Sequence, residues 1–261
     1  MQEKSKNETK AKKILSPKID VVFQALFGEV GSEKITKDFL RSILGEEVQD
    51  VNLEQNAVLR REMPNDKMGI VDVIALLNGN EYCNIEMQVS DKGDMIKRLL
   101  YYWSRLYARG IKKGDDYSKL RRTIAVLIVD FIIDGLEELD ILSKWKIMEV
   151  ETGKKILTED LEIDIIELPK LHVNNKGNKQ ELRKWLEFID DPTSENVQKY
   201  METNEDMKEA GVRLAMMSED EKMQRLAELR EKAILDERSV RNTSYKKGKE
   251  ERISRGRKTR T

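Results

Sequence analysis

The stretch GIVDVIALLNGNEYCNIEMQVS, residues 69–90, sets Asp72 inside one apolar run and Glu86 and Gln88 inside a second. A carboxylate in such a run is costly unless a cation or hydrogen-bond donors satisfy it. Two carboxylates on neighbouring strands stand about 5 Å apart at Cβ, where they repel unless they share a proton or a divalent ion. A hard cation such as Mg²⁺ suits oxygen ligands of this kind. Along the second run, alternation puts Tyr82, Asn84, Glu86 and Gln88 on one face and Cys83, Ile85, Met87 and Val89 on the other. Whether Asp72 joins the polar face depends on the turn. A two-residue Asn78-Gly79 loop sets Asp72 opposite Ile85, away from Glu86. A three-residue Asn78-Gly79-Asn80 loop pairs Leu77 with Glu81 and brings Asp72 opposite Glu86. Only the second register gathers the polar groups on one face, so it is the one expected. On spacing alone, the competing reading is a solvent-facing polar stripe.

The elements that must hold these residues follow from periodicity. LSPKIDVVFQALFG reads as a helix, with Ser16 as cap, Pro17 at its first position and Gly28 as its stop; EKITKDFLRSILG repeats the scheme and ends at Gly45. Residues 48–61 read as a first strand, and the hairpin supplies two more. A long amphipathic helix is expected over about 94–113. RRTIAVLIVDFII reads as a buried strand, WKIMEVET and LEIDIIEL as further strands, and Pro169 closes the series. Beyond Gly177 the pattern is helical, with a Ser218 and Glu221 capping box. The domain organisation expected is a disordered arm at 1–13, an α/β domain at 14–175 with one mixed sheet, a helical segment at 176–243 and a basic tail at 244–261.

Composition narrows the chemistry. At 261 residues the chain can bury a real core, and its 37% charged and 6% aromatic content fits a solvated, helix-rich protein. One cysteine, Cys83, excludes an internal disulfide and a cysteine zinc cluster. One histidine, His172, excludes a His pair for a metalloprotease and argues against a Ser/His triad. Cys83 is expected as a core filler and His172 on the surface. Catalysis would run on carboxylates, amides, Lys or Tyr. TIAVLIVDFII is too short to cross a bilayer and contains Asp130, and the start lacks a signal-peptide core, so a cytoplasmic protein with no membrane partner is expected.

The hairpin, Asp72 followed by Glu86-Met87-Gln88, resembles the PD-(D/E)xK nuclease superfamily, and within it the Rpn-type recombination-promoting nucleases and transposases. LSPKIDVVFQALFG resembles that group's opening helix, DKMGIVDV its lead into the metal-binding strand, and NIEMQV its Glu-x-Gln strand. KRLLYYWSRLYARGIKKGDDY resembles the helix after the hairpin, and LEIDIIELPKL the closing strand. The resemblance spans about 155 residues in order. It implies a restriction-endonuclease-like α/β fold, a mixed central sheet flanked by helices, and an Mg²⁺- or Mn²⁺-dependent DNA endonuclease linked to recombination or mobile elements. Asp72 and Glu86 would hold the metal, helped by the main-chain carbonyl of Met87. Gln88 stands where the wider superfamily has Lys; an amide can orient water but offers no positive charge. Gln24 stands where a Lys is expected in the opening helix. The alternative is a DNA-associating or protein-interaction module that keeps the fold with little or no catalysis.

Charge is segregated although the net is −1. Residues 91–122 hold ten Lys or Arg against four Asp, 187–240 hold fifteen acids against eight bases, and the last seventeen residues hold a surplus of six positive charges. In the helix after the hairpin, Arg98, Tyr101, Arg105 and Arg109 recur as one stripe, with Ile96, Leu99, Trp103 and Leu106 as the apolar stripe beside it. Lys97 and Arg98 are expected to steady phosphate near the carboxylates, and the stripe to contact DNA. The C-terminal helices offer a route to a homo-oligomer.

Overall fold

TIAVLIV, residues 123–129, is aliphatic and largely β-branched, the composition of a strand covered on both faces. It forms the middle of a six-stranded sheet, and all seven residues are buried. The computed structural model describes residues 14–54, 58–59, 69–70, 73–173 and 179–258. Among these the strands are β1 (Val51–Leu53), β2 (Val58–Leu59), β3 (Gly69–Ile70), β4 (Val73–Leu77), β5 (Glu81–Gln88), β6 (Thr123–Val129), β7 (Leu142–Lys146) and β8 (Leu161–Glu167). The helices are α1 (Asp20–Phe27), α2 (Glu33–Leu44), α3 (Met95–Ala108), α4 (Gln180–Asp190), α5 (Glu195–Thr203), α6 (Glu205–Glu219) and α7 (Glu221–Lys258). The main sheet runs β1-β4-β5-β6-β8-β7, and β2 and β3 form a separate ladder. Pairs β5–β6 and β6–β8 are parallel and the remaining pairs antiparallel, so the architecture is mixed α/β.

The two faces are covered unequally. Val73, Ala75, Leu77, Cys83, Ile85, Met87, Ile124, Val126 and Ile128 form one core with side chains of α1, α2 and α4 to α7. Phe27, Phe39 and Trp185 are its aromatic centre, with ring centroids 5.0 to 5.9 Å apart. On the other face α3 packs Met95 and Leu99 against Ala125, Leu127 and Val129, and Tyr102 and Leu106 against Ile74. Helices α4, α6 and α7 contribute Leu182, Trp185, Leu186, Met207, Leu214 and Ala227 to this core.

The hairpin takes the three-residue turn. Leu77 pairs with Glu81 and Val73 with Ile85, so it is Val73, not Asp72, that faces Ile85. Asn78 and Gly79 both have positive φ, 49° and 76°, conformations that Asn and Gly adopt more readily than other residues. Asn78 also anchors the turn: its Oδ1 accepts from the backbone N–H groups of Gln49 and Asp50, and its Nδ2 donates to the carbonyl of Glu47. Asp72 itself lies outside the described residues, as do the arm at 1–13 and most of the DKMGIVDV motif.

Several expected boundaries shift. Helix α1 begins at Asp20 rather than Pro17; Ser16 Oγ accepts from the N–H of Lys18 in a turn ahead of it. The first strand shortens to Val51–Leu53. WKIMEVET joins the sheet only through Trp145 and Lys146, because the edge strand starts earlier, at Leu142. The Ser218–Glu221 box does not form. Ser218 belongs to α6 and is buried, accepting from the N–H of Leu15 and donating to the carbonyl of Leu214. Asp220 caps α7 instead, accepting from the N–H of Met223 at 2.7 Å. On α3 the buried face is Met95, Leu99, Tyr102 and Leu106, not the stripe through Ile96 and Trp103. Both sets share Leu99 and Leu106, so spacing could not separate them. Trp103 is half-buried, donating from Nε1 to the carbonyl of Thr123, and Ile96 is exposed.

Candidate active site

Alternation along β5 fixes which side chains can meet above the sheet. Cys83, Ile85 and Met87 enter the larger core, while Tyr82, Asn84, Glu86 and Gln88 point to the α3 side. This second set is not a solvent-facing stripe. Asn84 is 1% exposed and Glu86 2%, whereas Gln88 at the strand end is half-buried. Asn84 Nδ2 donates to Glu86 Oε1 at 3.2 Å. Burial raises the Glu86 carboxyl to a pKa of about 7, partly offset by the positive charge of Arg98 and by the Asn84 bond. Asn84 Oδ1, also buried, has no partner among the described residues.

A cavity of about 280 Å³ opens at the end of this strand. Gln88 and Ser90 line it from the strand end, Arg98 and Tyr102 from α3, Lys18 and Asp20 from the start of α1, and Arg230 and Ile234 from α7. Arg98 stands over the Tyr102 ring, 5.8 Å from its centroid. The Lys18 ammonium lies 2.9 Å from Asp190 and 3.5 Å from Asp130. Its pKa is raised: burial lowers it, but the bonds to Asp190 and Asp130 outweigh that and keep it charged. Arg230 pairs with Asp20 through both carboxylate oxygens, the Nε contact being 3.0 Å.

The expected residues are brought together only in part. Gln88 and Arg98 line the cavity with Met87, whose side chain is buried; Glu86 does not line it but lies near enough to Arg98 to feel its charge. Asp72, the second expected metal ligand, lies outside the described residues; it is the residue just before Val73, as Glu86 is the residue just after Ile85. The α3 stripe is divided. Arg98 turns to the cavity, Arg105 is half-buried, Arg109 is paired with Glu54, and Lys97 and Tyr101 are exposed. Lys18, Asn84, Ser90, Tyr102 and Arg230 were not singled out by sequence reasoning. Alternation did place Asn84 beside Glu86, and Lys18 sits within the opening motif. Nothing local announces Arg230, more than a hundred residues from Arg98.

The donor set suits a hard cation in kind. Glu86 supplies a buried carboxylate with no bonded Lys or Arg among the described residues, and the orphaned Asn84 Oδ1 lies on the neighbouring position of the same face. Among the described residues, no three acids, histidines or cysteines gather closely enough to hold a metal. No helix among the described residues is long and apolar enough to cross a membrane.

A family model described as PD-(D/E)XK nuclease family transposase matches residues 17–244. Neither the curated proteins nor the solved structures gave a match.

Proposed function

Because the chain belongs to the PD-(D/E)XK nuclease family transposases, we propose that it hydrolyses DNA phosphodiester bonds internally, using Mg²⁺ or Mn²⁺ held by Glu86 and Asp72 with the main-chain carbonyl of Met87. The observation that carries this reading is Glu86: a carboxylate 2% exposed, with no bonded cation among the described residues, beside a cavity lined by Lys18 and Arg98. The pairing of Val73 with Ile85 is the register of the three-residue turn, the one in which the sequence reading expects Asp72 opposite Glu86. A divalent ion bound there would polarise the scissile phosphate and make water a better nucleophile at neutral pH.

The chain's own residues divide the remaining work. Gln88, at the strand end and half-buried, orients the attacking water through its amide. It cannot offset the negative charge that develops on the phosphorus oxygens. Arg98 does so, with Lys97 steadying the phosphate on the solvent side. Tyr101, Arg105 and Arg109 extend the phosphate-contacting side of α3, Arg109 only after leaving Glu54. A nucleic-acid substrate fits a cytoplasmic role in recombination or mobile-element movement. Contact between copies would use the exposed Val212, Met216 and Leu226 of α6 and α7.

The test is nicking of supercoiled plasmid by the purified protein with Mg²⁺, with Mn²⁺ and with EDTA, beside Glu86→Gln. Activity in both metals, none in EDTA and none in Glu86→Gln at unchanged fold supports the reading. Equal nicking by wild type and Glu86→Gln would point to a contaminating nuclease and favour the module that associates with DNA without cutting it.

A further inference from the structure

Helix α7 does two things along its length. Its first part belongs to the body of the protein: Ala227 is buried in the core, Arg230 pairs with Asp20, Ile234 lines the cavity, and Arg238 Nη2 donates to the carbonyl of Val89 at 2.6 Å. Lys92 and Glu237 add an ion pair at 3.3 Å. The helix then continues to Lys258 with a different composition. Residues 241–258 contain eight Lys or Arg and two Glu, and their only large apolar types are Tyr245 and Ile253. The positive residues fall on every side of the helical repeat, at 241, 246, 247, 249, 252, 255, 257 and 258. Such a segment has no apolar face to bury against a core or insert into a lipid surface.

The rest of the chain is net acidic, since this stretch carries a surplus of six within a total of −1. Affinity for a polyanion must then come from a local surface, and the α3 stripe is partly spent on Glu54. Eighteen residues of helix extend ~27 Å, about eight base pairs of duplex. We propose that residues 241–258 of α7 form a positively charged arm that grips the phosphate backbone of duplex DNA, and that the same helix, walling the cavity at Arg230 and Ile234, registers the held duplex against the cleavage site. This deepens the nuclease reading and rests on it for the second half; the grip itself is measurable without cleavage.

The experiment is fluorescence anisotropy with a 30-base-pair duplex in EDTA across a salt series, using full-length protein. The arm variant Lys246→Gln/Lys247→Gln/Lys249→Gln/Arg252→Gln should bind at least tenfold more weakly at 100 mM salt. Its slope of log affinity against log salt should fall by as much as ~3.6, about 0.9 for each lost contact. The control Lys154→Gln/Lys155→Gln, on an exposed loop, should bind as wild type. Lys246→Arg/Lys247→Arg/Lys249→Arg keeps the charge and should keep the affinity, which separates lost charge from lost helix. An arm variant with wild-type slope and affinity overturns the proposal. So does a wild-type protein that fails to bind the duplex, or that binds phosphatidylserine vesicles as tightly. Failure of the nuclease reading looks different: duplex binding in EDTA persists while no metal supports nicking.

Discussion

Glu86 on β5 and the pair Glu162 and Asp164 on β8 are acids buried in one sheet, two strands apart and on opposite faces. On β8 the neighbours are cations. Lys144 donates to Glu162 at 3.1 Å and to Asp164 at 2.6 Å, Arg122 donates to Glu162 at 2.6 Å, and Lys146 lies 3.6 Å from it. For Glu162, burial pushes the pKa up, but the bonds from Lys144 and Arg122 carry it below the usual value. Asp164, fully buried, is raised to about 6, with Lys144 opposing the effect of burial. On β5 the side-chain donor to Glu86 among the described residues is the neutral amide of Asn84, and burial carries the pKa to about 7. The acids on β8 are held by cations within the fold, although Asp164 Oδ1 has no hydrogen-bond partner among the described residues. Glu86 has no bonded cation among the described residues, and on the reading proposed above that difference separates a structural acid from a functional one.

The contrast breaks most visibly at Lys144. Lys144→Met removes the cation shared by two buried carboxylates, and an uncompensated buried charge costs about 3–5 kcal/mol. Urea denaturation should show a loss of that order at pH 7.5. A loss within 0.5 kcal/mol would mean the β8 pairs contribute little. The opposite sign is expected at Glu86 in metal-free protein. A carboxyl whose folded pKa is raised contributes stability that is present at low pH and lost as pH rises toward 7. Glu86→Gln should therefore stabilise by on the order of 3 kcal/mol at pH 8, with the difference vanishing as pH falls toward 4.5. Melting curves in EDTA at pH 4.5, 6 and 8 measure it.

Smaller effects sharpen the picture. Arg98 is the charge that restrains the rise at Glu86. Arg98→Ala should move the Glu86 titration further up and lower cleavage at saturating DNA by roughly tenfold, removing one transition-state charge. A pH–rate profile displaced to higher pH checks it. Arg109→Ala should change stability by less than about 1 kcal/mol, since its pair with Glu54 is exposed. Differential scanning calorimetry at low and high salt resolves that.

Much of this was legible in the chain. Asn-Gly-Asn at 78–80 sets the hairpin register, and alternation from Tyr82 to Gln88 sorts the two faces, because strand periodicity and turn chemistry are local. The continuous TIAVLIV marks the central strand for the same reason. The start of α1 was misread because Ser16 and Pro17 satisfy a helix signature equally well as a turn. The α3 face was misread because Met95 and Ile96, like Tyr102 and Trp103, differ only in what lies opposite, here Ile74 and the β6 side chains. Ser218 is a good cap by type, yet the N–H of Leu15, 203 residues away, claims its oxygen. The Arg230 wall and the cations around Glu162 depend on tertiary approach, which no local pattern carries.

The central claim is that the uncompensated acid, and not the compensated pair, takes the metal. Calorimetric titration of Mn²⁺ into wild type, Glu86→Gln and Asp164→Asn at pH 7.5 tests it directly. Wild type and Asp164→Asn should bind Mn²⁺ with the same stoichiometry, and Glu86→Gln should show no saturable heat. Saturable binding by Glu86→Gln equal to wild type, or its loss in Asp164→Asn alone, would contradict the account.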